Sequence, residues 1–163
     1  MSVTVRFSML GLDRRLDEDE LVDPAPHRDV LAKRNRSGVV TITSSAQPTV
    51  ELEDEVWHQL LELCTGCVAL LAGRGATVRY FEMFGGYELR PGDGVAVLSG
   101  DSDGAGAELP TVRYVIRELA AAVAGCTERF VDFLVRLADA DLMAVHDLIL
   151  PALAALRTAL AAP

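Results

Sequence analysis

The sequence predicts an α+β fold, a mainly antiparallel sheet of about five strands packed against two or three long helices. Three observations predict it. Val3, Val5, Phe7 and Met9 alternate with Thr4, Arg6 and Ser8, the period-two pattern of a half-buried strand. The stretch from Ala76 to Asp101 reads as three short strands joined by turns at Gly85-Gly86 and Pro91-Gly92-Asp93-Gly94. On either side of it, apolar residues recur every three to four positions, as on helices that bury one face.

Taken in order, the strand from Val3 to Met9 ends at Gly11. Asp13 to Glu20 has no apolar face and reads as a solvated loop. Pro26 can open a short helix through His27 to Lys33, closed by Gly38. Val39 to Thr43 is β-branched and predicts a second strand. The first long helix is expected from Glu53 or Asp54, where acidic residues suit the positive end of the helix dipole, to Gly73. Its stripe is Val56, Leu60, Leu63 or Cys64, Cys67 and Leu71. The central strand Thr77–Phe84 places Val78, Tyr80, Glu82 and Phe84 on one face and Thr77, Arg79, Phe81 and Met83 on the other. Tyr87–Arg90 and Val95–Ser99 pair across the next turn, and a glycine-rich loop follows to Ala107. Pro110 is expected to open a second helix whose stripe runs from Val112 to Leu137. Asp139 or Asp141 caps a third, interrupted by Pro151, whose missing backbone donor should kink it. No internal repeat is visible. At 163 residues the chain suits a single α+β domain, with the helix 140–162 as an appended or interface element.

Charge narrows the classes of function. The net charge is −9, and residues 1–36 are balanced, so the whole excess belongs to the rest of the chain. A negative field repels phosphate backbones and favours basic partners, so no nucleic acid is expected. His146, Asp147 and Arg157 interrupt the last apolar helix, which reads as a packing or dimer-forming helix and not as a membrane span. Three cysteines without a disulfide spacing, and no secretory signal at the start, point to a cytoplasmic protein. One lysine against fourteen arginines suggests a GC-rich, bacterial coding sequence.

Cys64-Thr65-Gly66-Cys67 is a CxxC, but redox chemistry needs the first cysteine at a helix N-terminus, and this pair falls well inside a helix. A zinc site needs two more ligands, for which only Cys126 and one of three histidines remain. Buried structural cysteines are the reading adopted. Asp101-Ser102-Asp103-Gly104 has its glycine at position four and Glu108 at position eight, where a calcium loop needs six and twelve, so it reads as an acidic turn. Ser99 lacks the setting of a nucleophile elbow, and there is no phosphate-binding loop or dinucleotide fingerprint. No catalytic residue, cofactor or metal is assigned.

The aromatic group Trp57, Tyr80, Phe81, Phe84 and Tyr87 can serve the core or a contact surface, since Trp and Tyr are typical interface anchors. The contact set read from the sequence is Trp57, Tyr80, Glu82, Phe84, Tyr87, Asp101 and Asp103. The function expected is a small acidic protein-binding module, an immunity or inhibitor-type protein that neutralises a basic partner. In general character the chain looks like the small acidic bacterial immunity proteins, a likeness of class that no motif carries. Two alternatives stand beside it. One is an enzyme whose site assembles only in three dimensions, from Glu82, Tyr80, His58 and Asp101 around the central hairpins. The other is a self-associating structural protein that forms a homodimer through the C-terminal helix.

Overall fold

The structure, a computed structural model, describes residues 2–33, 37–81, 85–100, 108–137 and 140–163. It is α+β, with eight strands in two four-stranded antiparallel sheets where about five strands were expected. The first sheet has the order β2-β1-β3-β4, from β1 (Val3–Leu10), β2 (Arg15–Asp17), β3 (Ser37–Ser44) and β4 (Gln47–Glu55). Two 3-10 turns and a short helix α1 (Arg28–Lys33) join β2 to β3. The second sheet is a meander of β5 (Ala76–Arg79), β6 (Gly86–Pro91), β7 (Val95–Gly100) and β8 (Val112–Val115). Three long helices follow strands or one another: α2 (Val56–Leu71), α3 (Ile116–Leu137) and α4 (Ala140–Ala161).

The alternation in β1 performs as its pattern requires. Val5, Phe7 and Met9 pair with Ile42, Val40 and Gly38, and all six are buried on one face. Val50, Leu52 and Asp54 of β4 continue that face. The stretch Asp13–Glu20, expected as a solvated loop, contains β2 with Leu16 buried, and the strand expected from Thr77 ends at Arg79. Two further boundaries differ from expectation. Residues 51–55 finish β4 and do not start a helix; Glu51 and Glu53 face outward while Val50 and Leu52 face in, which is a strand period. Pro110 precedes a strand, because Val112 and Tyr114 point inward as the last strand of the second sheet, and the helix begins only at Ile116.

The end of α2 is closed by a Schellman arrangement. Gly73 adopts φ 71°, its N–H bonds Leu70 O at 3.0 Å, and Arg74 N–H bonds Ala69 O at 2.9 Å.

A repeat that the sequence hides becomes visible in the structure. In each half, three antiparallel strands in meander order (β1-β3-β4 and β6-β7-β8) run without a loop into a helix, α2 or α3. When Val56 is set against Ile116, no residue is identical between 51–71 and 111–131. Many buried positions nevertheless coincide, among them Leu52 with Val112, Gln59 with Leu119, Leu60 with Ala120, Leu63 with Val123, Cys67 with Thr127 and Leu70 with Phe130, although Glu55, Val56 and Trp57 are buried where Val115, Ile116 and Arg117 are not. The two helices cross between the sheets. α2 packs on β3 and β4 of its own sheet and on β5 and β6 of the other, while α3 packs chiefly on β1. Phe7 of β1 meets Phe130 of α3 edge-on at 5.1 Å between ring centres.

α4 lies across α2 and α3, with Val145, Ile149, Leu153 and Leu156 in the shared core. Its last turn is held by Arg117, whose guanidinium donates to the Leu160 carbonyl at 2.5 Å and the Ala162 carbonyl at 3.1 Å, a favourable cation at the negative helix end. Pro151 stands inside α4 on its exposed side.

Candidate protein-contact site

The aromatic residues of the central stretch converge where β4 ends, α2 begins and β5 leaves the sheet. Asp54 is the last inward position of β4 and is only 4% exposed. It stands at the N-terminal end of α2, where the helix dipole favours a negative charge. Its Oδ2 accepts the backbone N–H of Phe81 at 2.6 Å and the Gln59 side-chain amide at 3.2 Å. His58 Nδ1 lies 3.7 Å from the same oxygen, buried and without a hydrogen bond. Gln59, wholly buried, uses its carbonyl to accept from the Tyr87 hydroxyl at 3.1 Å. Tyr87, Gln59, Asp54 and the Phe81 backbone thus form one hydrogen-bonded chain. A buried carboxylate needs such partners, because an unsatisfied one costs several kcal/mol.

Burial holds the Tyr87 hydroxyl well above the usual tyrosine range, reinforced by neighbouring Tyr80, Cys67, Glu62 and Asp54, so it remains a donor. Glu55 is also buried, and its carboxylate accepts the indole N–H of Trp57.

These bonds fix an aromatic trio. Phe81 stands 5.2 Å from Trp57 and 5.3 Å from His58 between ring centres, and Trp57 meets His58 edge-on at 5.6 Å. Trp57 is 9% exposed and forms the floor, whereas Phe81 is 55% exposed. Of the seven residues of the contact set, Trp57 is in this trio. Tyr80 and Tyr87 are 6% and 1% exposed, with rings 6.2 Å apart in the core beneath it. Glu82, Phe84, Asp101 and Asp103 fall outside the described residues. Of the four residues considered for catalysis, the structure describes Tyr80 and His58, and Glu82 and Asp101 fall outside it. The contact set left out Asp54, read as a helix start, Gln59, and Phe81, which stood only in the wider aromatic group. The signal for Phe81 was present: Val78 and Tyr80 point inward, so the next residue points out.

Other features are structural. Cys64, Cys67 and Cys126 are free thiols with no exposed surface. Burial pushes Cys64 up to about 11, and raises Cys67 and Cys126 further, the reverse of an activated thiolate. Cys64 Sγ is 3.3 Å from the Thr127 hydroxyl, which donates to Val123 O at 2.8 Å. Among the described residues, no group of three or more His, Cys, Asp or Glu side chains is placed to hold a metal ion. A cleft of about 500 Å³ between the first sheet and α3 is lined by an ion-pair network. In it Glu18 accepts from Arg129 at 2.7 Å and faces Arg6 at 3.5 Å, while Arg6 also bonds Asp19 at 2.8 Å.

Compared with known proteins, the chain matches no family model, no curated protein and no solved structure. The fold and site define an α+β protein with an exposed aromatic residue, bonded through its backbone to a buried polar chain.

Proposed function

We propose that the protein is a small protein-binding module of the immunity or inhibitor type, which docks a basic protein partner on the surface around Phe81. The observation that carries this reading is the contrast within the trio. Phe81 keeps more than half of its surface exposed, yet its backbone is pinned by Asp54 and its ring is backed by Trp57 and His58. An aromatic anchor ordered before binding loses little entropy on docking, which is what an interface hot spot requires. The net charge of −9 supports a basic partner, acting mainly on the rate of association.

The test is affinity capture from cell lysate with the wild type and Phe81→Ala, at low and high salt, together with the products of adjacent genes as purified candidates. The wild type should retain a basic protein at low salt and release it as salt rises. Phe81→Ala should weaken that complex by roughly thirtyfold, the effect of losing a hot-spot side chain. Equal capture by both proteins, or a partner indifferent to salt, would remove the reading.

A further inference from the structure

α4 is apolar on both of its faces. The inner face is in the core, but only 22% of the segment Ala144–Ala161 is buried, and its mean hydropathy is 1.4. The outer face presents Leu148 at 56% and Leu150 at 39% exposure, with Pro151, Ala154, Ala155 and Thr158 exposed between and beyond them. A helix on the surface of a monomer ordinarily carries charge there. In this segment the only carboxylate is Asp147 and the only guanidinium is Arg157.

Their placement specifies what covers the face. The two charges stand ten residues apart, about 15 Å along the helix, and symmetrically about residue 152. If a second α4 runs antiparallel across a two-fold axis at that residue, each Asp147 comes level with the partner's Arg157. Pro151, Ala154 and Ala155 then occupy the crossing, where small side chains let helix axes approach to about 8 Å. Leu148 and Leu150 flank it. We propose that a second copy of this chain covers the outer face of α4, giving an antiparallel, two-fold dimer.

Arg157 is prepared for this role. Its Nε bonds Glu128 at 2.8 Å and its Nη2 approaches the same carboxylate at 2.6 Å, which orients the guanidinium and leaves Nη1 for a second acid. The Asp147 side chain is 79% exposed, with His146 Nδ1 at 3.1 Å. A membrane surface suits the face less well, since surface-lying helices gather several basic residues and this segment has one. Covering the outer half of an 18-residue helix on two copies removes on the order of 1,000 Å², the lower bound of a specific interface. The dimer is therefore weak. Because each chain carries −9, salt strengthens it, opposite to the salt dependence of the Phe81 contact.

Sedimentation velocity of the full chain over a range of concentrations, at low and high salt, tests the proposal. A monomer–dimer equilibrium that tightens with salt is expected. Asp147→Arg and Arg157→Asp should each raise the dimer Kd about tenfold, and the two together should restore it. Asp147→Arg alters only an exposed side chain and its contact with the adjacent His146, so its result stands even if Arg157→Asp loosens the Glu128 contact. Leu148→Asp should leave only monomer. The proposal is overturned by a monomer at every concentration, or by a double variant weaker than either single one. Monomer that co-sediments with phosphatidylcholine–phosphatidylglycerol vesicles would equally overturn it, in favour of a lipid surface. None of these outcomes bears on the Phe81 contact, which is read by capture.

Discussion

Alkaline pH should unfold this protein through its three cysteines. In the folded chain Cys64 titrates near about 11, and burial raises Cys67 and Cys126 beyond it, whereas an unfolded cysteine titrates near about 8.5. Above that lower value the unfolded chain releases protons that the folded chain keeps, so each further unit of pH favours unfolding. Below it the thiols are protonated in both states and contribute nothing. At about pH 10 each thiol costs about 2 kcal/mol, and the three together about 6 kcal/mol. That is comparable with the whole stability of a domain, about 5–15 kcal/mol. Tyr87 and Tyr114, both raised by burial, add to the loss only above about pH 10. The sequence makes the experiment clean, since with one lysine few other side chains titrate in this window. Urea unfolding followed by circular dichroism, under a phosphine reductant at about pH 7 and 10, measures the effect. Cys126→Ala should remove about a third of the pH-dependent loss. An unchanged urea midpoint between the two pH values, or a Cys126→Ala protein that loses as much as the wild type, would refute buried protonated thiols.

Two substitutions probe the scaffold of the contact site. Asp54→Ala strips the acceptor from the Phe81 N–H and from Gln59 and should cost about 3 kcal/mol, read as a lower urea midpoint with accelerated amide exchange at Phe81. Gly86→Ala places a Cβ 2.0 Å from the Val78 carbonyl oxygen at φ 155°, so the β5–β6 hairpin must shift; a thermal midpoint lower by at least several degrees is expected by calorimetry.

Much of the secondary structure was legible because apolar spacing is direct evidence of a face. β1 and the stripes of α2, α3 and α4 follow from period, and β3 from its β-branched run Val39–Thr43. The errors arose where polar residues are buried or where two periods overlap. Asp54 occupies an inward strand position, so the alternation Val50, Leu52, Asp54 looked broken, and the acids around it resembled a helix start. Val112, Val115, Ile116 and Leu119 fit a helical spacing, which concealed a strand of four residues whose inward members are Val112 and Tyr114. The division into two sheets was not legible, since nothing local in β4 or β5 states that a helix between them separates their partners. The repeat was hidden because it is conserved as burial and not as residue identity. The site was half legible: concentration of aromatics marked the region, but only the inward direction of Tyr80 and Tyr87 passes the exposed role to Phe81.

The crossed helices also set a timetable for synthesis. The face of β1 is covered by α3, and the Arg129 guanidinium bonds the Val5 carbonyl across 124 residues of chain. At roughly 5–20 residues per second, a ribosome needs between about 6 and 25 seconds to deliver that cover after β1 has been made. For that interval α2 covers the first sheet only in part, on β3 and β4, and the face of β1 that α3 will cover stays open. The nascent chain is then an aggregation hazard that the finished protein is not, and contacts of such sequence separation also slow refolding. The first sheet therefore waits for a helix made near the end of the chain before its interior is complete.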